Sequence, residues 1–350
     1  MAGTSEPPAL LPARLRPARW HRAMPQTQTA YVAVAFAALI VVVWILAPVF
    51  MTPRNLLNIS KNFSFIALMS LGETLVIISG GIDLSVGSVC ALSAVVTMML
   101  MRLLSATAAA QVPGATIALA TLLALALAAL IGLVNGMLIA RIRLSPFVTT
   151  LGMLSIARGM TYVLTQGRAQ YPTGPDVAGF TRFANGTVLG LPTQLVYLLV
   201  LAVLMALALR HLVWGRHLYA VGGNAQAAAL TGVRVPRVVV SVYVLSGIAA
   251  GFSGVLIAGW LGAAPANLAT GYELRVIAAA VIGGANLAGG VGGAAGAVIG
   301  AALIEVIRNG FVLIGANTYW EEVFVGVIII IAVLVDQLRT RRVFRAPQAE

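Results

Sequence analysis

Long apolar runs separated by short polar or glycine-rich breaks dominate this chain. A helix needs about 20 apolar residues to cross roughly 30 Å of hydrocarbon. On that rule ten spans are predicted, at 29–50, 63–79, 86–107, 114–140, 146–166, 191–213, 238–260, 272–284, 292–314 and 319–337. The eighth is short, and the second and eighth both run into glycine-rich breaks. The first run is about twice the length of a signal-peptide core, so it reads as an uncleaved helix. The predicted fold is all-α, a polytopic membrane protein of about ten transmembrane helices, with broken helices near "GGIDLS" and "GGANLAGG". Residues 29–338 form the transmembrane domain. The tail 1–28, rich in Pro and Arg, reads as disordered, basic and cytoplasmic, and 339–350 as a second basic cytoplasmic tail.

Charge fixes the orientation. With an even number of spans both termini share a side, which receives Arg14, Arg16, Arg19, Arg22, Arg141, Arg143, Arg216, Arg234, Arg237, Arg339, Arg341, Arg342 and Arg345. The opposite loops hold only Arg54, Lys61, Arg168 and Arg182, with Arg102 and Arg275 near an edge. The positive-inside rule places both termini in the cytoplasm. Residues 167–190 become the longest external loop, whose Gly, Pro and Asn content suits turns rather than a helix. It is either a connector or a docking surface for an external partner. Residues 214–237 become the longest internal loop, and its centre, Asn224 to Leu230, is a short helix candidate with Asn224 as N-cap.

Composition narrows the function classes. The 350 residues are 60% hydrophobic and 9% charged, against about a quarter charged in soluble domains. With a mean hydropathy of +0.98, the solvent is a bilayer crossed many times. The net charge of +12 is the orientation signal itself, so nucleic acid is not expected as a partner. The single cysteine, Cys90, excludes an internal disulfide and a cysteine metal site. His21, His211 and His217 lack metal-ligand spacing, so no metal is expected. No G-x-x-x-x-G-K-[ST] loop surrounds the sole lysine, Lys61, so the chain does not hydrolyse ATP itself. An intramembrane aspartyl protease needs two aspartates within spans, and only Asp83 qualifies. No catalytic residue and no cofactor is expected.

The polar residues inside spans are the candidate site. An ionised side chain at mid-bilayer costs about 2.5–3.5 kcal/mol on insertion scales, so Asp83 must face protein or water. Gly80 and Gly81 precede it and break the second helix, which at membrane depth is tolerated only in protein or along a cavity. Asp83 and Ser85 supply oxygens to cap the third helix; a structural cap and hinge, or contact with a transported solute, are the two readings. The segment 281–296 echoes this break, with Asn286 opposite Asp83, either as an internal repeat or by chance. Glu73, Asn135, Glu305 and Asn309 are also intramembrane, each an interhelical hydrogen bond or a lining group of a polar path. Glu305 and Arg308, three apart, share a face and can pair. The small-residue runs at 247–254 and 292–303 mark tight helix seams.

The string "GETLVIISGGIDLSVGS" resembles the signature of permease subunits in bacterial ABC importers for sugars. The class meant carries ribose, xylose and galactofuranose and is related to branched-chain amino-acid permeases. The likeness continues through 135–152, 216–235 and 271–293. It implies a homodimer or heterodimer of permeases, two cytoplasmic ATP-binding cassettes and a periplasmic sugar-binding protein delivering a monosaccharide. The family's G-N-x-x-A-A-x-x-x-G coupling pattern falls on Gly223, Asn224, Ala227, Ala228 and Gly232. Arg275 stands where the family more often has an acidic residue. The rival reading is an ion-coupled secondary transporter of a small polar solute, using Glu73, Asp83 and Glu305. A passive channel is a third, and leaves the internal loop without a purpose.

Overall fold

The computed structural model of the chain describes residues 24–317 and, beyond them, positions 320, 323–327, 330 and 334. In chain order its named helices are α1 (Met24–Leu46), α2 (Pro53–Ile78), α3 (Val86–Leu104), α4 (Ala115–Ala140), α5 (Pro146–Thr165) and α6 (Val177–Asn185). They continue with α7 (Thr193–His211), α8 (Val213–Gly223), α9 (Ala225–Leu230), α10 (Val235–Leu261), α11 (Tyr272–Ile282) and α12 (Ala294–Leu313). Among the described residues seven of them, α2, α3, α4, α5, α7, α10 and α12, are long and apolar enough to cross a membrane. The chain is a polytopic, mostly helical membrane protein.

The centre is α10, which packs on α4, α3 and α2; α12 packs on α2 and α11, and α1 lies on the outside of α12. The α4–α10 seam shows why small residues sit where they do. Ala120, Ala124, Ala128, Gly132 and Gly136 recur every fourth residue on the buried face of α4, one ridge of an α-helix. A Cβ added at Gly132 would lie 2.2 Å from the carbonyl oxygen of Tyr243, so only glycine lets the two backbones touch. The 247–254 and 292–303 runs make the same kind of contact, the latter against α11. The outer faces of α4 and α7 expose Leu122, Leu130, Val203 and Leu204, a surface that only lipid or another apolar subunit can cover.

Several boundaries differ from those the sequence predicts. The expected eighth span, 272–284, is α11, whose 11 residues reach about 16 Å, half a bilayer. The described apolar stretch of the first span is Val32–Leu46, also short of a full crossing. Helix α1 begins at Met24, inside the tail expected to be disordered; residues 1–23 and the tail 339–350 lie outside the described residues. Most of the expected span 319–337 does too. The segment 167–190, expected to be an external loop of turns, contains α6. Phe180 and Ala184, four apart, are buried against Gly259 of α10, and that anchoring outweighs the local glycines. The first half of the segment 214–237, expected to be an internal loop, is the helix α8.

Candidate functional site

Five elements converge on residues 82–85. Helix α2 ends in a Schellman motif: the Gly80 N–H donates to Ile77 O at 2.9 Å, the Gly81 N–H donates to Val76 O at 3.1 Å, and Gly80 holds φ +85°. A left-handed residue there is what glycine supplies without steric cost. The chain then turns through Asp83, whose Oδ1 accepts the Ser85 N–H at 3.0 Å and the Ser85 hydroxyl at 2.6 Å. Its Oδ2 accepts the Ser246 hydroxyl of α10 at 3.1 Å. The Asp83 N–H donates to Glu73 Oε1 of α2 at 3.1 Å, and Asn135 of α4 donates its amide to Ser85 Oγ at 3.1 Å. The Ile82 carbonyl accepts the hydroxyls of Thr150 of α5, at 3.2 Å, and Tyr243 of α10, at 3.4 Å. Every side chain in this network is at most 2% exposed.

This arrangement corrects one expectation and bears on another. Ser85 does not cap α3 with its hydroxyl: it is the N-cap residue, but its side chain turns to Asp83, while the Asp83 carboxylate closes the turn. Asp83 accepts three donors from the protein itself. Glu73 Oε2 and Asn135 Oδ1 are buried and meet no hydrogen-bond donor. Neither Glu73 nor Asp83 meets a cation among the described residues. Ser246, Tyr243 and Thr150 were not singled out by sequence; each is one hydroxyl in an apolar span, with no periodic signal beyond its place beside the small-residue face of α10 or at the start of α5.

The second break repeats the first with a one-residue shift. Helix α11 also ends in a Schellman motif, the Gly284 N–H donating to Val281 O at 2.9 Å and the Ala285 N–H to Ala280 O at 3.0 Å, with Gly284 at φ +98°. Gly284 therefore corresponds to Gly80. Asn286 Oδ1 accepts the Ala288 N–H at 2.7 Å, the same turn that Asp83 makes with Ser85. The two breaks touch one another, Ile77 packing with Ala280 and Ala285, and both meet α8. The Gly290 N–H donates to Ile78 O at 2.9 Å, the Tyr219 hydroxyl donates to Gly292 O at 2.8 Å, and a Cβ on Gly222 would lie 1.7 Å from Ile78 O.

Directly after α8 comes the exposed helix α9. Asn224 caps it, its Oδ1 accepting the Ala227 N–H at 2.9 Å, as the sequence predicts. Ala228 is buried, Ala227 is exposed, Gly232 turns the chain at φ +88°, and Leu230 is 90% exposed. Gly223 has open space where a Cβ would point, whereas Gly222 is the glycine in tight contact. The remaining candidates lie apart from this site. Glu305 pairs with Arg308 at 3.1 Å on α12. Asn309 exchanges two 2.9 Å amide hydrogen bonds with Asn55 of α2. Cys90 is buried inside α3. Among the described residues no group of three or more acidic, His or Cys side chains is placed to hold a metal.

Comparison with known proteins agrees with this architecture. The chain is 38% identical over 308 residues to the ribose import permease protein RbsC of Escherichia coli, covering 87% of this chain and 92% of that protein. The ribose import permease protein RbsC of Bacillus subtilis is 35% identical over 302 residues, covering 86% and 90%. The galactose/methyl galactoside import permease protein MglC of Escherichia coli is 37% identical over 302 residues, covering 84% and 90%. No solved structure matches the chain. Residues 55–333 match the family described as branched-chain amino acid transport system / permease component, and the chain belongs to that family.

Proposed function

We propose that this chain is the membrane permease subunit of an ABC importer. It forms the translocation path for a pentose- or hexose-like monosaccharide, delivered by a periplasmic binding protein and powered by two separate ATP-binding cassettes. A second permease subunit, identical or paralogous, completes the path. Ten spans, with α1, α11 and the segment 319–337 counted, put both termini in the cytoplasm of a bacterial inner membrane protein. The sugar-import names of its relatives support the substrate class.

The observation that carries the mechanism is the linkage of α9 to both breaks. Helix α9 buries Ala228 against the chain but presents Leu230 to the outside, and it follows α8, which is wedged by Gly222 and Tyr219 against Ile78 and Gly292. A cassette that grips α9 and moves on ATP binding would shift α8, and with it the ends of α2 and α11. The helices then rock so that the path opens to one side at a time. Glu73, Asp83, Ser85 and Asn135 hold the first break in register while this happens; Asn286 does so at the second. A neutral sugar needs no titrating group on its way.

The ion-coupled alternative is disfavoured by the sugar-import names of the relatives, and of its three candidate carboxyls Asp83 is occupied by Ser85 and Ser246 and Glu305 by Arg308, which leaves Glu73 Oε2. Leu230→Asp tests the coupling assignment. Membrane insertion is expected to be normal, while co-purification with the cassettes and ATP-driven uptake are lost. Normal uptake by this variant would overturn the assignment.

A further inference from the structure

Helices α4 and α7 form no seam with one another, and between them lies a groove of about 750 Å³ floored by α2 and α10. Leu71 and Leu75 of α2, Val200 and Leu204 of α7, and Ile248 and Phe252 of α10 line it, and no lining residue carries a charge or an amide. Along α7 it runs from Val196 to Ala208, about 18 Å at the helical rise. The hydrocarbon of one leaflet is about 15 Å deep.

An aromatic residue stands at each end. The Tyr197 hydroxyl donates to Phe183 O at 3.1 Å, and the Trp214 indole N–H donates to Ser241 Oγ at 2.8 Å, so each ring faces the groove with its polar atom tied to protein. Trp214, at the end of α7 that carries the arginines, is an amphipathic ring of the kind that favours the membrane–water interface. At the Trp214 end α7 finishes with Arg210 and His211, and Arg216 follows; all three are exposed, and neither arginine makes an ion pair among the described residues. The chain's own flanking segments are seated elsewhere: α1 packs on α12, and the Phe324 ring packs at 5.0 Å on Phe311 of α12.

We propose that this groove is a binding site for an anionic phospholipid, one acyl chain lying along α7 between Tyr197 and Trp214 and the phosphate resting on Arg210 and Arg216. Water has no polar partner on these walls and would leave the groove empty. An acyl chain fills it but gains little over the surrounding bilayer, since both are hydrocarbon. Selection therefore falls to the headgroup, where each arginine near the surface favours negative charge. The bound chain covers α2 at Gly72 and Leu75, on either side of Glu73, and supports the helix that carries the first break.

The test uses the full chain with Trp214 as its only tryptophan, the residues Trp20, Trp44, Trp260 and Trp320 being replaced by Phe, in bilayers containing brominated lipid. Brominated phosphatidylglycerol is expected to quench Trp214 at about five-fold lower mole fraction than brominated phosphatidylcholine. Arg210→Gln with Arg216→Gln is expected to erase that difference without changing insertion, and Ala249→Phe, which fills the floor, to weaken quenching by both lipids. The arginine variants carry the test on their own if Ala249→Phe does not fold. Equal quenching by the two lipids in the unsubstituted groove would overturn the proposal. So would the absence of quenching by either, which would mean that a second subunit or other protein covers the groove.

Discussion

Gly222 and Gly223 are adjacent and chemically identical, yet they are expected to respond in opposite ways to one added methyl group. On Gly222 the new Cβ would fall 1.7 Å from Ile78 O and 2.5 Å from the Gly290 nitrogen. Real Cβ atoms essentially never approach closer than 3.0 Å, so α8 must retreat by about 1.3 Å from the end of α2, the difference between those distances. Overpacking of this kind costs about 1–3 kcal/mol. The retreat also strains the 2.9 Å hydrogen bond from Gly290 to Ile78 O, worth about 1 kcal/mol. Gly222→Ala is therefore expected to lose about 2–4 kcal/mol and to abolish sugar uptake. Gly223→Ala meets nothing within 4 Å and is expected to match the parent in both. Thermal unfolding in detergent, followed by the fraction that remains monodisperse, with uptake measured in parallel, checks the pair. Equal behaviour of the two variants would refute the claim that α8 is wedged against the breaks.

Asp83→Asn keeps an acceptor for the Ser85 N–H and hydroxyl, so near-parental stability and uptake are expected, whereas Asp83→Leu strands the Ser246 hydroxyl and is expected to destroy both; uptake by the two variants decides. Asn224→Ala removes the cap of α9 at a cost of about 1 kcal/mol and is expected to reduce cassette binding in a pull-down, while Asn224→Asp, which accepts the same bond, retains it. At the start of α4, the Thr116 hydroxyl, with the Gly114 N–H, holds the Asp176 carboxyl below the usual aspartate range. A depressed carboxylate adds stability that is present above its unfolded value of about 4 and is lost as pH falls through the folded value. The gap in Tm between the parent and Asp176→Asn is therefore expected to stay constant from pH 7 down to about pH 4 and to close below it.

Much of this could be read from sequence because hydrocarbon imposes length and apolarity on each crossing helix, and seven crossing helices fall on expected spans. The Asn224 cap and the Glu305–Arg308 pair were equally legible, since both depend on fixed local spacing. What escaped was decided by long-range contact. Ser246 and Tyr243 sit 163 and 161 residues from their partners Asp83 and Ile82, and nothing local in α10 marks them. The Gly222–Gly223 pair cannot be ranked until α8 is docked. Helix α6 was obscured by flanking Gly and Pro, although the four-residue spacing of Phe180 and Ala184 was there to be read. Asn309 was legible as polar, but its partner Asn55 lay at the edge of a predicted loop, too far along the chain to be paired by pattern.

The central claim is that this chain is a conduit without its own energy source, driven from α9 by separate cassettes. It is tested most directly by sugar uptake into proteoliposomes that hold the permease with its cassettes, supplied with loaded binding protein outside, ATP inside and a protonophore to collapse the proton gradient. Uptake that persists under the protonophore and stops when ATP is withheld is the expected result. Uptake that follows the gradient without ATP, or nucleotide hydrolysis by the purified permease alone, would contradict the account.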